Sequence, residues 1–212
     1  MSEQAVTNFL FIRHGRHDYL GRAIAGRKAG VHLNDAGRLQ AEHLAEKLSL
    51  LPIDAVYSGP LERVRETAEP IARQFKLPLE IADEFTEIGV GEWEDRAFDE
   101  LSQQPLWKQI NTFRSSTAFP NGELMLEVQV RAIRKLNELR GRHRFVVVVT
   151  HGDVVRAVMA HFLGMHLDLF LRFEVDPASL SLLEYGEDFA IVRMLNAPST
   201  GSPLELPGAR HQ

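Results

Sequence analysis

The chain has 212 residues, of which 44% are hydrophobic and 25% are charged, as is typical of a folded globular protein. Lys and Arg number 24 against 29 Asp and Glu, so the net charge of −5 argues against a general partner such as nucleic acid or an anionic membrane. The absence of cysteine excludes disulfides, thiolate metal sites and cysteine nucleophiles. No secretory signal and no apolar run of membrane-spanning length is visible, so we expect a soluble, cytoplasmic protein.

Hydrophobic patterning predicts strands and helices that alternate along the chain. The predicted strands are short apolar runs at 9–12, 55–57, 79–82, 145–149, 180–185 and 189–195. The predicted helices run from an Asn34 N-cap to Pro52, from the turn at 58–60 to Phe75, over 123–142, and over the apolar face from Val154 to Phe162. This order predicts a three-layer α/β/α sandwich with a mostly parallel central sheet, and functional residues beyond the carboxyl ends of its strands.

Two segments do not follow the alternation. Residues 88–120 have no clean period, and we interpret them as an inserted, partly helical lobe over the active site. Residues 196–212 are rich in Pro and Gly with few apolar residues, so we expect a loosely ordered C-terminal tail. The sequence therefore predicts a single domain over residues 1–195, followed by the tail.

Two predicted strands end in a histidine that is followed by glycine. Arg13-His14-Gly15 follows the first strand, and Thr150-His151-Gly152 follows the strand at 145–149. If both strands are central in one parallel sheet, both histidines face one crevice. A single histidine is more often an ordinary surface or hydrogen-bonding residue, and it is the pairing at equivalent strand ends that favours catalysis.

A candidate anion-binding residue lies at the start of the second helix. Arg63 is in its first turn, where a guanidinium adds bidentate hydrogen bonds to the helix dipole. The alternative is a solvated arginine paired with one of the acidic residues Asp54, Glu62 and Glu66. With Arg13 and two histidines nearby, a phosphate pocket is the better interpretation.

Four motifs occur in a fixed order: Arg13-His14-Gly15, the run Tyr57–Ala68, the acidic segment Glu87–Glu94, and Thr150-His151-Gly152. In this order and spacing the sequence resembles the histidine phosphatase superfamily, phosphoglycerate mutase-like first branch, over residues 8–195. Two shorter segments, Leu33–Ala41 and Gly122-Glu123, resemble further motifs of that family.

The resemblance implies that His14 is a nucleophile that forms a phosphohistidine, and that Arg13, Arg63 and His151 hold the phosphoryl oxygens. It implies that Glu87 protonates the leaving alkoxide and then accepts a proton from the attacking water. For this role the pKa of Glu87 must be raised. For His14 to attack, one ring nitrogen must be unprotonated, so we expect the other to be held by a backbone carbonyl or a similar acceptor.

The sequence departs from the family pattern in the first loop. Leu20 replaces a phosphate-binding asparagine and His17 replaces a hydroxyl residue, so backbone amides near Gly26 are candidates to compensate. Arg16 and His17 are candidates for contacts to a second acidic group on the substrate, although a solvated arginine is the simpler interpretation of Arg16. Gly152 is also expected in the substrate-binding site.

Further departures and candidates lie elsewhere in the chain. Gly59 replaces the second serine of the family motif, and Asp95 replaces a frequent glycine. The insert supplies Trp93, Trp107, Lys108 and Arg114, which either select the leaving group or, for the tryptophans, form the core of the lobe. We favour a core position for the tryptophans.

The sequence predicts a metal-independent phosphatase that hydrolyses a small phosphorylated substrate, a phosphomonoester, without a cofactor. A phosphoglycerate mutase is the main alternative, since it uses the same groups, and Leu20 and the short insert favour hydrolysis. A metallophosphoesterase is less favoured because the spacings match no metal motif. A non-catalytic binding module is least favoured because all five catalytic candidates are present. A homodimer is left open.

Overall fold

The structure is a computed structural model that describes residues 6–202 and 204. All six predicted strands are present in it. The strands are β1 (Thr7–Arg13), β2 (Ala55–Ser58), β3 (Leu79–Ile81), β4 (Phe145–Thr150), β5 (Leu180–Tyr185) and β6 (Ala190–Ala197). The helices are α1 (Asp35–Leu48), α2 (Glu62–Phe75), α3 (Phe98–Leu101), α4 (Pro105–Thr112), α5 (Met125–Leu139) and α6 (Gly152–Phe162).

The strands form one sheet in the order β3-β2-β4-β1-β5-β6. The first four in this order are parallel, whereas β5 and β6 are antiparallel to their neighbours. Strand β4 lies between β1 and β2 and every residue in it is buried, because helices cover both of its faces. The prediction of a mostly parallel sheet is confirmed.

Alternating side chains of the central strands divide the core into two layers. Leu10 and Ile12 of β1 pack with the apolar stripes of α1 and α2. Phe9 and Phe11 point to the opposite face and pack with α5 and α6. The result is the predicted three-layer sandwich, with the carboxyl ends of β1, β2 and β4 at one edge.

The insert at residues 88–120 contains a short 3₁₀ turn at Gly91–Trp93 together with α3 and α4, and so is partly helical as expected. Trp93 is buried in the core of the lobe, where its ring centroid lies 5.9 Å from that of Trp107. Trp107 is only partly buried. The predicted core position therefore fits Trp93 better than Trp107.

The C-terminal segment begins later than expected. The predicted tail begins at residue 196, but Asn196 and Ala197 are the last two residues of β6. Beyond it, the Lys47 ammonium donates to the carbonyl of Thr200 at 2.8 Å, and the amide of Leu204 donates to the carbonyl of Lys47 at 3.0 Å. The rest of the predicted tail, residues 203 and 205–212, lies outside the described residues. Within the described part of the chain, no helix is long and apolar enough to cross a membrane.

Gly59 lies where β2 gives way to α2, against the backbone that leads to Glu87. A Cβ atom at Gly59 would lie 2.7 Å from the carbonyl oxygen of Phe85. That oxygen accepts a hydrogen bond from the Thr150 hydroxyl at 2.7 Å, so it is held in place from the β4 side. The serine of the family motif therefore does not fit here without a backbone shift.

Replacing Gly59 by serine should lower the free energy of unfolding by about 1–3 kcal/mol, because the added Cβ overpacks a backbone contact. Urea unfolding followed by tryptophan fluorescence measures the change. Gly89→Ser is the matched control, since a Cβ at Gly89 would meet its nearest neighbour, the Arg27 guanidinium, at an ordinary 3.6 Å. An unchanged urea midpoint in Gly59→Ser would contradict this packing argument.

Candidate active site

The two strand-end histidines meet at the carboxyl edge of the sheet. Arg13, the last residue of β1, is in register with Thr150, the last residue of β4, and the His14 amide donates to the Thr150 carbonyl at 2.9 Å. The ring centroids of His14 and His151 are 5.3 Å apart, and both residues are buried. The structure thus brings both candidate histidines into one crevice.

The ring of His14 is held by a backbone carbonyl on one side. Its Nδ1 lies 2.8 Å from the carbonyl oxygen of Gly15. Because a carbonyl only accepts hydrogen bonds, Nδ1 carries the proton and Nε2 keeps its lone pair. Burial, and then the positive charges of Arg63 and Arg13, hold the pKa of His14 well below its usual value. The ring is therefore neutral at neutral pH, with Nε2 available as a nucleophile.

Two guanidinium groups beside His14 carry spare hydrogen-bond donors. Arg63, in the first turn of α2, is 1% exposed and donates one Nη2 bond of 2.6 Å to the carbonyl of Gly26, while its Nε and Nη1 have no hydrogen-bond partner. Arg13 donates to the carbonyl of Val175 at 2.6 Å, and its buried Nε has no partner. Buried polar groups are nearly always hydrogen-bonded, so unpaired cationic donors here indicate a site for an oxyanion.

His151 contributes a second unpaired imidazole. Its side chain is fully buried and neither ring nitrogen has a hydrogen-bond partner, although Nδ1 lies 3.6 Å from an oxygen of Glu87. Burial and the charge of Arg63 lower the pKa of His151 well below its usual value. The ring is therefore neutral, and one of its nitrogens is an N–H donor.

Glu87 is the acidic residue that the fold places beside these groups. Its side chain is 17% exposed, and one oxygen accepts a hydrogen bond of 2.9 Å from the Ile88 amide. Burial raises the pKa of the carboxyl to about 7, and the negative charge of Asp153 adds to the increase while Arg63 and Arg13 oppose it. The other acidic residues of this segment do not line the cavity at the site.

The backbone of Glu87 is fixed by two arginines that the sequence motifs did not single out. Its carbonyl accepts hydrogen bonds from Arg27 Nε at 2.8 Å and from Arg131 Nη2 at 3.1 Å. One oxygen of Glu123 lies 2.7 Å from Arg27 Nη2 and 2.9 Å from the Gly89 amide. Gly122-Glu123 was a recognisable motif, but no sequence signal linked it to Arg27 or Arg131.

A cavity of about 250 Å³ opens above these groups. Its lining includes the predicted site residues Arg13, His14, His17, Gly26, Arg63, Glu87 and Gly152. His151 lies in direct contact with this set but has no exposed surface. The remaining lining is largely apolar, with Leu20 where the family pattern has asparagine.

The glycines and His17 fit the cavity in distinct ways. Gly26 has a φ of +51°, and a Cβ there would lie 2.5 Å from a methyl group of Val90. Gly152 is the first residue of α6, and its Cβ would lie 3.2 Å from Arg13 Nε. His17 Nδ1 accepts from the Tyr19 amide at 3.3 Å, and burial followed by the charges of Arg63 and Arg13 lowers its pKa to about 4. His17 is thus a neutral ring with an Nε2–H donor.

The structure does not bring Arg16 to the cavity. Its backbone amide donates to Gln40, its carbonyl accepts from Asn34, and a Cβ at Gly37 would collide with it at 2.1 Å. The backbone is thereby docked on the start of α1, and the Arg16 side chain is exposed. Arg16 and His17 were both expected to contact a second acidic group on the substrate, but of the two only His17 lines the cavity.

Among residues 6–202 and 204, no cluster of three or more His, Asp or Glu side chains has an arrangement that could hold a metal ion. The guanidinium groups of Arg13 and Arg63 bring positive charge to the site.

Comparison with known proteins identifies the family. The family model for the histidine phosphatase superfamily, branch 1, matches residues 9–198. The chain belongs to this superfamily. Phosphoserine phosphatase 1 of Hydrogenobacter thermophilus is 31% identical in sequence to this chain. The alignment covers 90% of this chain and 92% of that protein.

Two further relatives align with 90% of this chain. The adenosylcobalamin/alpha-ribazole phosphatase of Escherichia coli is 27% identical, over 90% of this chain and 96% of its own. The structure titled Bacillus stearothermophilus YhfR superposes with a TM-score of 0.84 and 26% identity, over 90% of this chain and 97% of that one. The fold expected from the sequence is therefore shared with solved members of the family.

Replacing Asp153 by asparagine should lower the pKa of Glu87, because the negative charge of Asp153 raises it. Carboxyl ¹³C NMR of labelled protein should give a titration midpoint of about 7 for Glu87 in the wild type and a lower one in the variant. Glu92→Gln removes an exposed charge outside the cavity and should leave the midpoint unchanged. A midpoint near 4.5 in the wild type would contradict the electrostatics of the site.

Proposed function

We propose that the protein is a metal-independent phosphatase that hydrolyses a small phosphomonoester through a phosphohistidine on His14. One observation carries the proposal: buried, unpaired N–H donors of Arg13 and Arg63, with the unpaired ring of His151, surround an unprotonated imidazole nitrogen. A tetrahedral phosphoryl group would satisfy these donors. The relatives named phosphoserine phosphatase and adenosylcobalamin/alpha-ribazole phosphatase support a hydrolytic reaction.

In the first step, Nε2 of His14 attacks phosphorus and the P–O bond to the leaving alcohol breaks. Phosphoryl transfer depends mainly on positioning and on stabilising charge at the equatorial oxygens, and Arg13 and Arg63 provide both. Each arginine is already anchored by one hydrogen bond to a backbone carbonyl, so it needs little reorganisation. A neutral His151 donates a further hydrogen bond to the phosphoryl group.

Glu87 moves the protons in both steps. With a pKa of about 7 a large share of its carboxyl groups is protonated near neutral pH, so it delivers a proton to the leaving alkoxide. The resulting carboxylate then takes a proton from a water molecule, whose oxygen attacks phosphorus as the P–N bond to His14 breaks. Inorganic phosphate leaves, and both His14 and Glu87 return to their starting states.

A phosphatase transfers the phosphoryl group from the histidine to water, whereas a mutase transfers it to a second phosphorylated molecule. Leu20 presents a hydrocarbon side chain to the cavity where the family pattern has a phosphate-binding asparagine. This weakens the loop as a binding site for the phosphate of an acceptor molecule. The net charge of −5 does not oppose an anionic substrate, because the field in the cavity is set by its own arginines.

Wild-type protein treated with a chelator should hydrolyse p-nitrophenyl phosphate, and His14→Ala should lose that activity by at least about 1000-fold, because it lacks the nucleophile. The rate is measured across pH 5 to 8, a range that covers carboxylate and histidine titration. For an alkyl phosphomonoester, whose leaving alkoxide needs a proton, the wild-type kcat/KM should fall as the pH rises through about 7, where Glu87 loses its proton.

His43→Ala provides the matched control, since His43 lies on α1 and does not line the cavity. Activity that requires added metal, or that survives in His14→Ala, would contradict the proposal. Turnover only when a phosphorylated acceptor is supplied would favour the mutase.

A further inference from the structure

Arg114 is a further buried arginine in the lining of the cavity, in addition to Arg13 and Arg63. It follows α4, is 8% exposed and lines the cavity. Its guanidinium lies 5.1 Å from the ring centroid of Phe170 and 5.7 Å from that of Phe119, so cation–π contacts hold it between two aromatic side chains. One nitrogen, Nη2, donates to the Asn111 side chain at 2.9 Å.

The other two nitrogens of Arg114 have no hydrogen-bond partner. Nε and Nη1 are buried, and the nearest acid, Asp153, has an oxygen 3.5 Å from Nη1 in an ion pair without a hydrogen bond. Leaving a buried charged donor unpaired costs free energy, so these donors indicate a binding site for a hydrogen-bond acceptor on a ligand.

Arg156 lines the same cavity and gives an internal comparison. Its Nε donates to the Phe173 carbonyl, and its two terminal nitrogens contact Asp153 and Glu174, each at 3.3 Å. Every nitrogen of Arg156 is therefore partnered. The spare donors on this side of the cavity belong to Arg114.

The charge around Arg114 favours a ligand group with a single negative charge. Arg114 and Arg156 together face two carboxylates, Asp153 and Glu174, so a dianionic ligand group would be repelled more strongly here than a monoanionic one. A carboxylate is singly charged, and each of its oxygens can accept a charge-assisted hydrogen bond from a free guanidinium donor of Arg114.

The remainder of the lining indicates what lies between the two anionic groups. Apolar side chains from the first loop and the insert line the cavity: Ile24, Val90, Phe98, Trp107, Ile110 and Phe119. Such a lining suits a hydrocarbon or aromatic body rather than a polyol.

We propose that Arg114 binds a carboxylate on the leaving alcohol, so that the preferred substrates are phosphomonoesters of carboxylate-bearing hydroxy compounds with an apolar or aromatic body. The inference rests on the proposed phosphatase activity. It gives Arg114 the role that the sequence alone had suggested for Arg16.

The test compares phenyl phosphate with 3-carboxyphenyl and 4-carboxyphenyl phosphate, which differ in the carboxylate and its position. Wild-type kcat/KM should be about 10- to 100-fold higher for at least one carboxyphenyl ester, the factor expected for hydrogen bonds between charged groups. Equal or lower kcat/KM for both carboxyphenyl esters would overturn the inference while leaving the phosphatase proposal intact. Failure to hydrolyse any of the three esters would overturn both.

The ratio of kcat/KM values identifies the residue responsible. In Arg114→Met the preference should fall to about one, whatever rate remains for phenyl phosphate, and Arg114→Lys should retain part of it. Arg65→Met removes an exposed positive charge from α2 that does not line the cavity, and should keep the wild-type ratio. An unchanged ratio in Arg114→Met, or an equal fall in Arg65→Met, would overturn the assignment.

Discussion

The site depends on positive charge that is buried without its full set of partners. Arg13 and Arg63 are anchored by backbone carbonyls, yet each keeps buried N–H groups that no protein atom accepts. Each such group costs about 1–3 kcal/mol when left unpaired, and the packed sheet and helices stabilise the fold against that cost. Burial lowers the pKa of His14 and His151, and the same charges lower it further. The unpaired arginines therefore favour both oxyanion binding and a neutral His14 ring.

Asp153 links the proposed chemistry to the proposed selectivity. Its negative charge raises the pKa of Glu87, and its carboxylate also pairs with Arg114 and Arg156. A substrate carboxylate bound at Arg114 would add negative charge on the same side of the cavity, which favours the protonated form of Glu87. A substrate with the right leaving group would thus also help to keep the proton donor protonated.

Most of the framework was predictable from the sequence because the sheet is covered on both faces. Short unbroken apolar runs such as Phe145–Val149 identify central strands, and the residues that follow them must meet at one edge of the sheet. The contact between His14 and His151 follows from that rule. The exposed position of Arg16 did not, because it depends on how the loop backbone docks against Gly37 of α1. The hydrogen bonds to the Glu87 carbonyl come from Arg27 and Arg131, which are far apart in the sequence, and no local pattern encodes such contacts.

Trapping the phosphoenzyme tests most directly whether a phosphoryl group is transferred to His14. Wild-type protein is mixed with a rapidly hydrolysed phosphomonoester, quenched in alkali within milliseconds, digested and analysed by mass spectrometry. We expect an acid-labile, alkali-stable phosphoryl group on His14 that is absent in His14→Asn. Steady turnover with no phosphoenzyme, or a phosphoryl group on any other residue, would contradict it.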